Sequence, residues 1–135
     1  MNPSAAIASR ALLGLSALLV SFPARATYSI VATDQATQQV GGAVTSCVSP
    51  QSVATVYGSA PGHGGINAQA ASNTAGRDRG VMLLNMGIAP ADIIQQITAA
   101  SFDPNARTRQ YGVADLSGRA VGFTGVGAMD YKEDR

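Results

Sequence analysis

Thr27 follows Ala24-Arg25-Ala26, a small-x-small triplet of the kind that signal peptidase cuts. Cleavage after Ala26 leaves Thr27 with a free α-amine, and such an amine titrates at about 7.7–8.0 when unperturbed. It accepts the hydroxyl proton near neutral pH, so one residue carries both nucleophile and general base. The chemistry on offer is attack on a carbonyl without help from a histidine. The plain alternative is that the peptidase must cut somewhere, and the new terminus then has no role.

The other reactive side chains are sparse. The one histidine, His63, lies in Gly58-Ser59-Ala60-Pro61-Gly62-His63-Gly64-Gly65, which reads as a flexible exposed loop. That loop lacks the Lys-Ser/Thr ending and the spacing of a phosphate-binding loop. The one cysteine, Cys47, has no partner for an internal disulfide, and its place in an apolar strand reads as a small buried hydrophobe.

Several elements must position Thr27. Upstream, Arg10 and the apolar run from Ala11 to Val20 precede the helix-breaking Pro23, so residues 1–26 read as a Sec-type signal peptide. The run is too short for a comfortable membrane span. The expected location is periplasmic or secreted, with no membrane attachment after cleavage. Downstream, Tyr28 to Thr33 is apolar or β-branched nearly throughout, as a strand covered on both faces would be. Asp34-Gln35-Ala36-Thr37-Gln38 is a polar turn with an aspartate suited to an Asx-turn. Val40 to Val48 reads as the second strand, with Gly41-Gly42 allowing a bulge or a close backbone approach. An antiparallel hairpin with Thr33 opposite Val40 sets Thr27 opposite Ser46. The hairpin then delivers a hydroxyl cluster to the new N-terminus.

Further strands are expected over Ser52 to Tyr57 and Ile66 to Ala71. Two helices follow. Thr74 is suited to cap the first, with Val81, Leu84 and Ile88 on its apolar side and Gly87 at its end. Pro90 opens the second, whose buried stripe is Ile93, Ile94 and Ile97. Arg109 to Asp115 and Arg119 to Thr124 then form a hairpin around Leu116-Ser117-Gly118. The fold class is α+β.

With 135 residues, one domain is the upper expectation. The formal net charge is +1, and Arg10 and Arg25 leave with the leader, so nothing suggests nucleic acid as a partner. Aromatics make up 5% with no tryptophan, a poor basis for a carbohydrate-stacking surface. No cofactor and no metal site is expected, and a homo-oligomer is left open.

The element order, starting at a free threonine, resembles the first two thirds of the N-terminal-nucleophile hydrolase fold. That fold is an α-β-β-α sandwich of antiparallel sheets. The residues also resemble one family within that group, the domain of unknown function numbered 1028. The resemblance rests on 27–34 (Thr-Tyr-Ser-Ile-Val-Ala-Thr-Asp), 40–46 (Val-Gly-Gly-Ala-Val-Thr-Ser) and 64–70 (Gly-Gly-Ile-Asn-Ala-Gln-Ala). Gly80 to Gly87, Arg109 to Asp115 and Gly118 to Gly125 add to it. Many relatives begin Met-Thr, so methionine removal would expose the same threonine there. The resemblance brings no activity with it, since the family has none assigned. Proteasome-like relatives place a lysine near the nucleophile, whereas the only lysine here is Lys132 in the tail. Relatives also continue past the equivalent of Arg135, so residues 27–135 are expected to be part of a longer domain.

The resulting expectation is an exported hydrolase of a small amide or peptide substrate. Thr27 is its nucleophile and Ser46 an orienting hydroxyl. Gln69 and Asn73, near a strand-to-helix junction, contact substrate or oxyanion. Each also has an ordinary reading, Gln69 as a buried amide bonding backbone and Asn73 as a helix-entry residue. The rivals are a non-catalytic exported module that binds a ligand or partner, and an inactive truncated fragment.

Overall fold

The computed structural model describes residues 27–48, 53–129 and 132–135. The expected leader, with its cleavage between Ala26 and Thr27, lies outside the described residues. So do the positions of Ser49, Pro50 and Ser52.

Strand β1 (Thr27–Asp34) pairs antiparallel with β2 (Gln39–Ser46). The turn is set by Asp34, whose Oδ1 accepts from the Ala36 N–H at 2.8 Å and the Thr37 N–H at 3.3 Å. The Thr37 side chain first, and then these two N–H groups, hold the Asp34 carboxyl below its usual range. Pairing is unbroken from Asp34↔Gln39 to Thr27↔Ser46, with no bulge at Gly41-Gly42.

The second sheet runs β3-β4-β5-β6, all antiparallel, from β3 (Tyr57–Ala60), β4 (Gly64–Ala70), β5 (Arg109–Asp115) and β6 (Ala120–Thr124). Two helices, α1 (Thr74–Asn85) and α2 (Pro90–Ile97), cover one face of it. Ile66, Ala68, Tyr111 and Val113 from that face bury against Leu83, Leu84, Ile93 and Ile97. Gly80 lets α1 approach the sheet, because a Cβ there would collide with the Ile66 side chain. The hairpin lies across the opposite face. Val31 approaches Gly65 and Gly112, and a Cβ on Gly42 would strike the Tyr57 ring. The described residues thus form three layers: hairpin, four-stranded sheet, helix pair.

Several expectations are corrected. Strand β1 is covered on one face only: Thr27, Ser29, Val31 and Thr33 are half-buried, while Tyr28 and Ile30 are 71% and 52% exposed. No described element lies over the outer face of the hairpin. Cys47 is exposed, because β2 ends at Ser46 and its even-numbered residues are the ones turned inward. The run before Tyr57 is not a strand. Val53 and Ala54 are helical, and the Val56 N–H bonds the Val53 carbonyl at 3.1 Å. The expected glycine-rich loop is a tight hairpin: β3 and β4 pair from Ala60↔Gly64 onward, with exposed His63 in the turn. Finally, Asn73 rather than Thr74 caps α1, its side chain accepting from the Gly76 N–H at 3.1 Å.

Candidate active site

Alternation along β1 turns the Thr27 side chain toward the four-stranded sheet, and the antiparallel register sets Ser46 beside it. The two hydroxyl oxygens are 2.8 Å apart. Ser46 Oγ also accepts from the Val48 N–H at 3.4 Å, where the chain leaves β2. Below them lies Gln69 of β4. Its Nε2 donates to the Thr27 carbonyl at a long 3.5 Å and to Gln110 Oε1 at 3.0 Å.

Gln110 was not foreseen as part of this group. It stands directly opposite Gln69 in the β4–β5 register. Its own Nε2 donates to Thr124 Oγ1 at 3.1 Å and to the Glu133 carbonyl at 3.0 Å. A backbone carbonyl only accepts, so this contact fixes which end of the Gln110 amide faces Gln69. Gln69 must therefore present its NH₂ group to both Gln110 and Thr27. Its Oε1 is left buried without a protein donor.

A cavity of about 210 Å³ is lined by the polar residues Thr27, Ser46, Gln69 and Ser72 and by the apolar residues Val48, Val53, Val56 and Ala70. Ala70 holds a left-handed backbone, φ 68°, which costs a non-glycine residue about 1 kcal/mol or more. That strain falls where β4 turns away toward α1.

Asn73 does not line this cavity. Its Oδ1 caps α1, and its Nδ2 donates to Asp103 Oδ2 at 2.9 Å. Asp103, almost fully buried, also accepts from Arg109 Nε at 2.9 Å and from the Asn105 N–H at 2.9 Å. Arg109 in turn bonds the Ala71 carbonyl. The guanidinium of Arg109 holds the Asp103 carboxyl below its ordinary range and is itself held more firmly protonated by it. Nearby Tyr111 titrates above its ordinary value, through burial first and the Asp103 charge second. This cluster fastens the start of α1 to the loop before β5.

A second cavity, of about 140 Å³, lies near His63 and Asp115. It offers less chemistry. Asp115 Oδ1 accepts from the N–H groups of Ser117 and Arg119, and Oδ2 pairs with the Arg119 guanidinium. Among the described residues, no three His, Cys, Asp or Glu side chains come together to hold a metal ion. No described helix is long and apolar enough to cross a membrane.

A family model described as "Family of unknown function (DUF1028)" matches residues 27–135. Among solved structures, the chain is similar to protein SPO2555 from Silicibacter pomeroyi, a crystal structure that carries the same family description. The two share 29% identity with a TM-score of 0.70, over 80% of this chain and 48% of that one. The chain thus spans about half the length of that relative. No curated protein matches.

Proposed function

The chain belongs to the DUF1028 family of unknown function, and on that premise we propose that it is an exported amide hydrolase with Thr27 as nucleophile. The fold is of the N-terminal-nucleophile hydrolase type, and cleavage after Ala26 activates it. The observation that carries this reading is the 2.8 Å contact between the Thr27 and Ser46 hydroxyls at the edge of a cavity.

In the reaction, Thr27 Oγ1 bonds to the substrate carbonyl carbon as its proton passes to the freed α-amine. The carbonyl–nitrogen bond then breaks, and the leaving nitrogen takes that proton. Water next attacks the Thr27 ester, releasing the acid and restoring the hydroxyl. Ser46 orients the nucleophile, and Gln69 holds the Thr27 carbonyl so that the amine stays beside its own hydroxyl. Asn73 acts one step removed, by fixing the start of α1.

The test is the intact mass of the exported protein, followed by exposure to a peptidyl epoxyketone. Such a probe forms a ring with the hydroxyl and amine of an N-terminal threonine together. The expected result is a protein beginning at Thr27 and modified there, with Thr27→Ala unmodified. A correctly cut protein that stays unlabelled favours a binding module. A start at any other residue removes the mechanism.

A further inference from the structure

The wall of the Thr27 cavity says what kind of acyl group would sit beside the nucleophile. Val48, Val53 and Val56 line the same cavity as the Thr27 and Ser46 hydroxyls, and none of the described lining side chains carries a charge. A charged group entering among these side chains loses its hydration and finds no side-chain counter-ion, the Thr27 amine being neutral when it acts as base, whereas an aliphatic group gains by leaving water. At about 210 Å³ the cavity is smaller than the roughly 300–1,000 Å³ typical of sites for drug-sized ligands. It therefore has room for one side chain and not for a large ligand as a whole.

We propose that this cavity is the specificity pocket of the enzyme, and that it selects amides whose carbonyl carries an uncharged, branched aliphatic side chain. The inference rests on Thr27 being the nucleophile. Val53 and Val56 are the selecting residues. They stand three apart on one helical turn, and that spacing aims both side chains to one side. Val56 is 4% exposed and anchored to the sheet, its carbonyl accepting from the Ala68 N–H at 2.9 Å. Val53 is less buried and is the position to alter.

The experiment uses protein processed to Thr27 and four epoxyketones that differ only in the side chain next to the ketone: alanine, leucine, aspartate and lysine. The leucine probe should label about 10–200-fold faster than the aspartate and lysine probes, the range a hydrophobic pocket can supply. Val53→Asp should reverse the order, with the lysine probe fastest. Should that variant fail to fold, Val48→Asp, at a position 45% exposed, should shift the preference the same way. Labelling of Thr27 at equal rates by all four probes would overturn the inference while leaving the nucleophile intact. Failure of all four probes, the small alanine one included, would overturn the nucleophile and the pocket together.

Discussion

Thr27 Oγ1 and Ser46 Oγ lie 2.8 Å apart although 19 residues separate them, because the β1–β2 hairpin brings its two ends into direct register. A terminal hydroxyl free to rotate would lose time in unproductive orientations, and a fixed partner removes that freedom. Ser46→Ala in the Thr27-start protein should slow epoxyketone labelling about 10–100-fold with little change in melting temperature. Ser46→Thr, which keeps the hydroxyl, should recover part of the rate. Equal rates in all three proteins would leave Ser46 a mere neighbour.

Asn73 makes a stability prediction. Asn73→Ala removes the α1 cap and one bond to Asp103. The expected cost is about 1–2 kcal/mol, or a fall of roughly 5–15 °C in melting temperature. Thermal unfolding of the two proteins checks it. Thr74→Ala, by contrast, should change little.

Asp103 makes a prediction in pH. Its carboxyl is held below the ordinary value of 3.8, chiefly by Arg109. The unfolded chain therefore binds the proton more readily, and stability rises with pH across that window. The contribution is complete above the unfolded value and is lost as pH falls through the lower folded one. Denaturant unfolding between about pH 2 and pH 6 should show this acid loss in the natural protein. Asp103→Asn should be less stable at neutral pH and depend less on pH in that range.

Much of this arrangement was legible in the sequence. The Asp34 turn and the Thr33–Val40 pairing are local features, and once they fix the register, Thr27 must meet Ser46. The β5–β6 hairpin and the start of α2 at Pro90 were equally plain, because Gly118 and Pro90 are strong conformational signals. What failed was whatever depended on neighbours distant in sequence. The run from Ser52 to Tyr57 has strand-like composition, yet Val53 and Val56 also suit one helical turn, and only the cavity shows which spacing is used. Gly62 and Gly64 read as flexibility, but Gly62 supplies the positive φ of a two-strand turn, and β4 continues as the central pairing strand. Gln110 escaped notice because its partner Gln69 lies 41 residues away. Asn73 sits at the expected junction, and of its two readings the structure displays the helix-entry one. Its amide caps a helix and binds a buried carboxylate, neither of which touches the cavity.

Cys47 makes a simple comparison with these. It is exposed one residue past β2, so Cys47→Ala should alter stability by no more than about 0.5 kcal/mol and leave Thr27 labelling unchanged. A loss of labelling in the folded variant would point to the thiol as the reacting group.

The most direct measurement compares two purified proteins, one beginning at Thr27 and one retaining Ala26 ahead of it. Both keep the hydroxyl, the hairpin and the cavity. Only the first has its free α-amine on Thr27 itself, because in the second the Thr27 nitrogen is an amide and no longer a base, and the free amine has moved to Ala26. Cleavage of an N-acyl-leucine anilide, a bond that a simple amine does not break, is followed across about pH 5 to pH 9. The account predicts a rate for the Thr27-start protein that climbs with pH as the amine loses its proton, around pH 7–8. The extended protein should be at least about 100-fold slower, with no such limb. Equal rates and equal pH profiles in the two proteins would contradict the account.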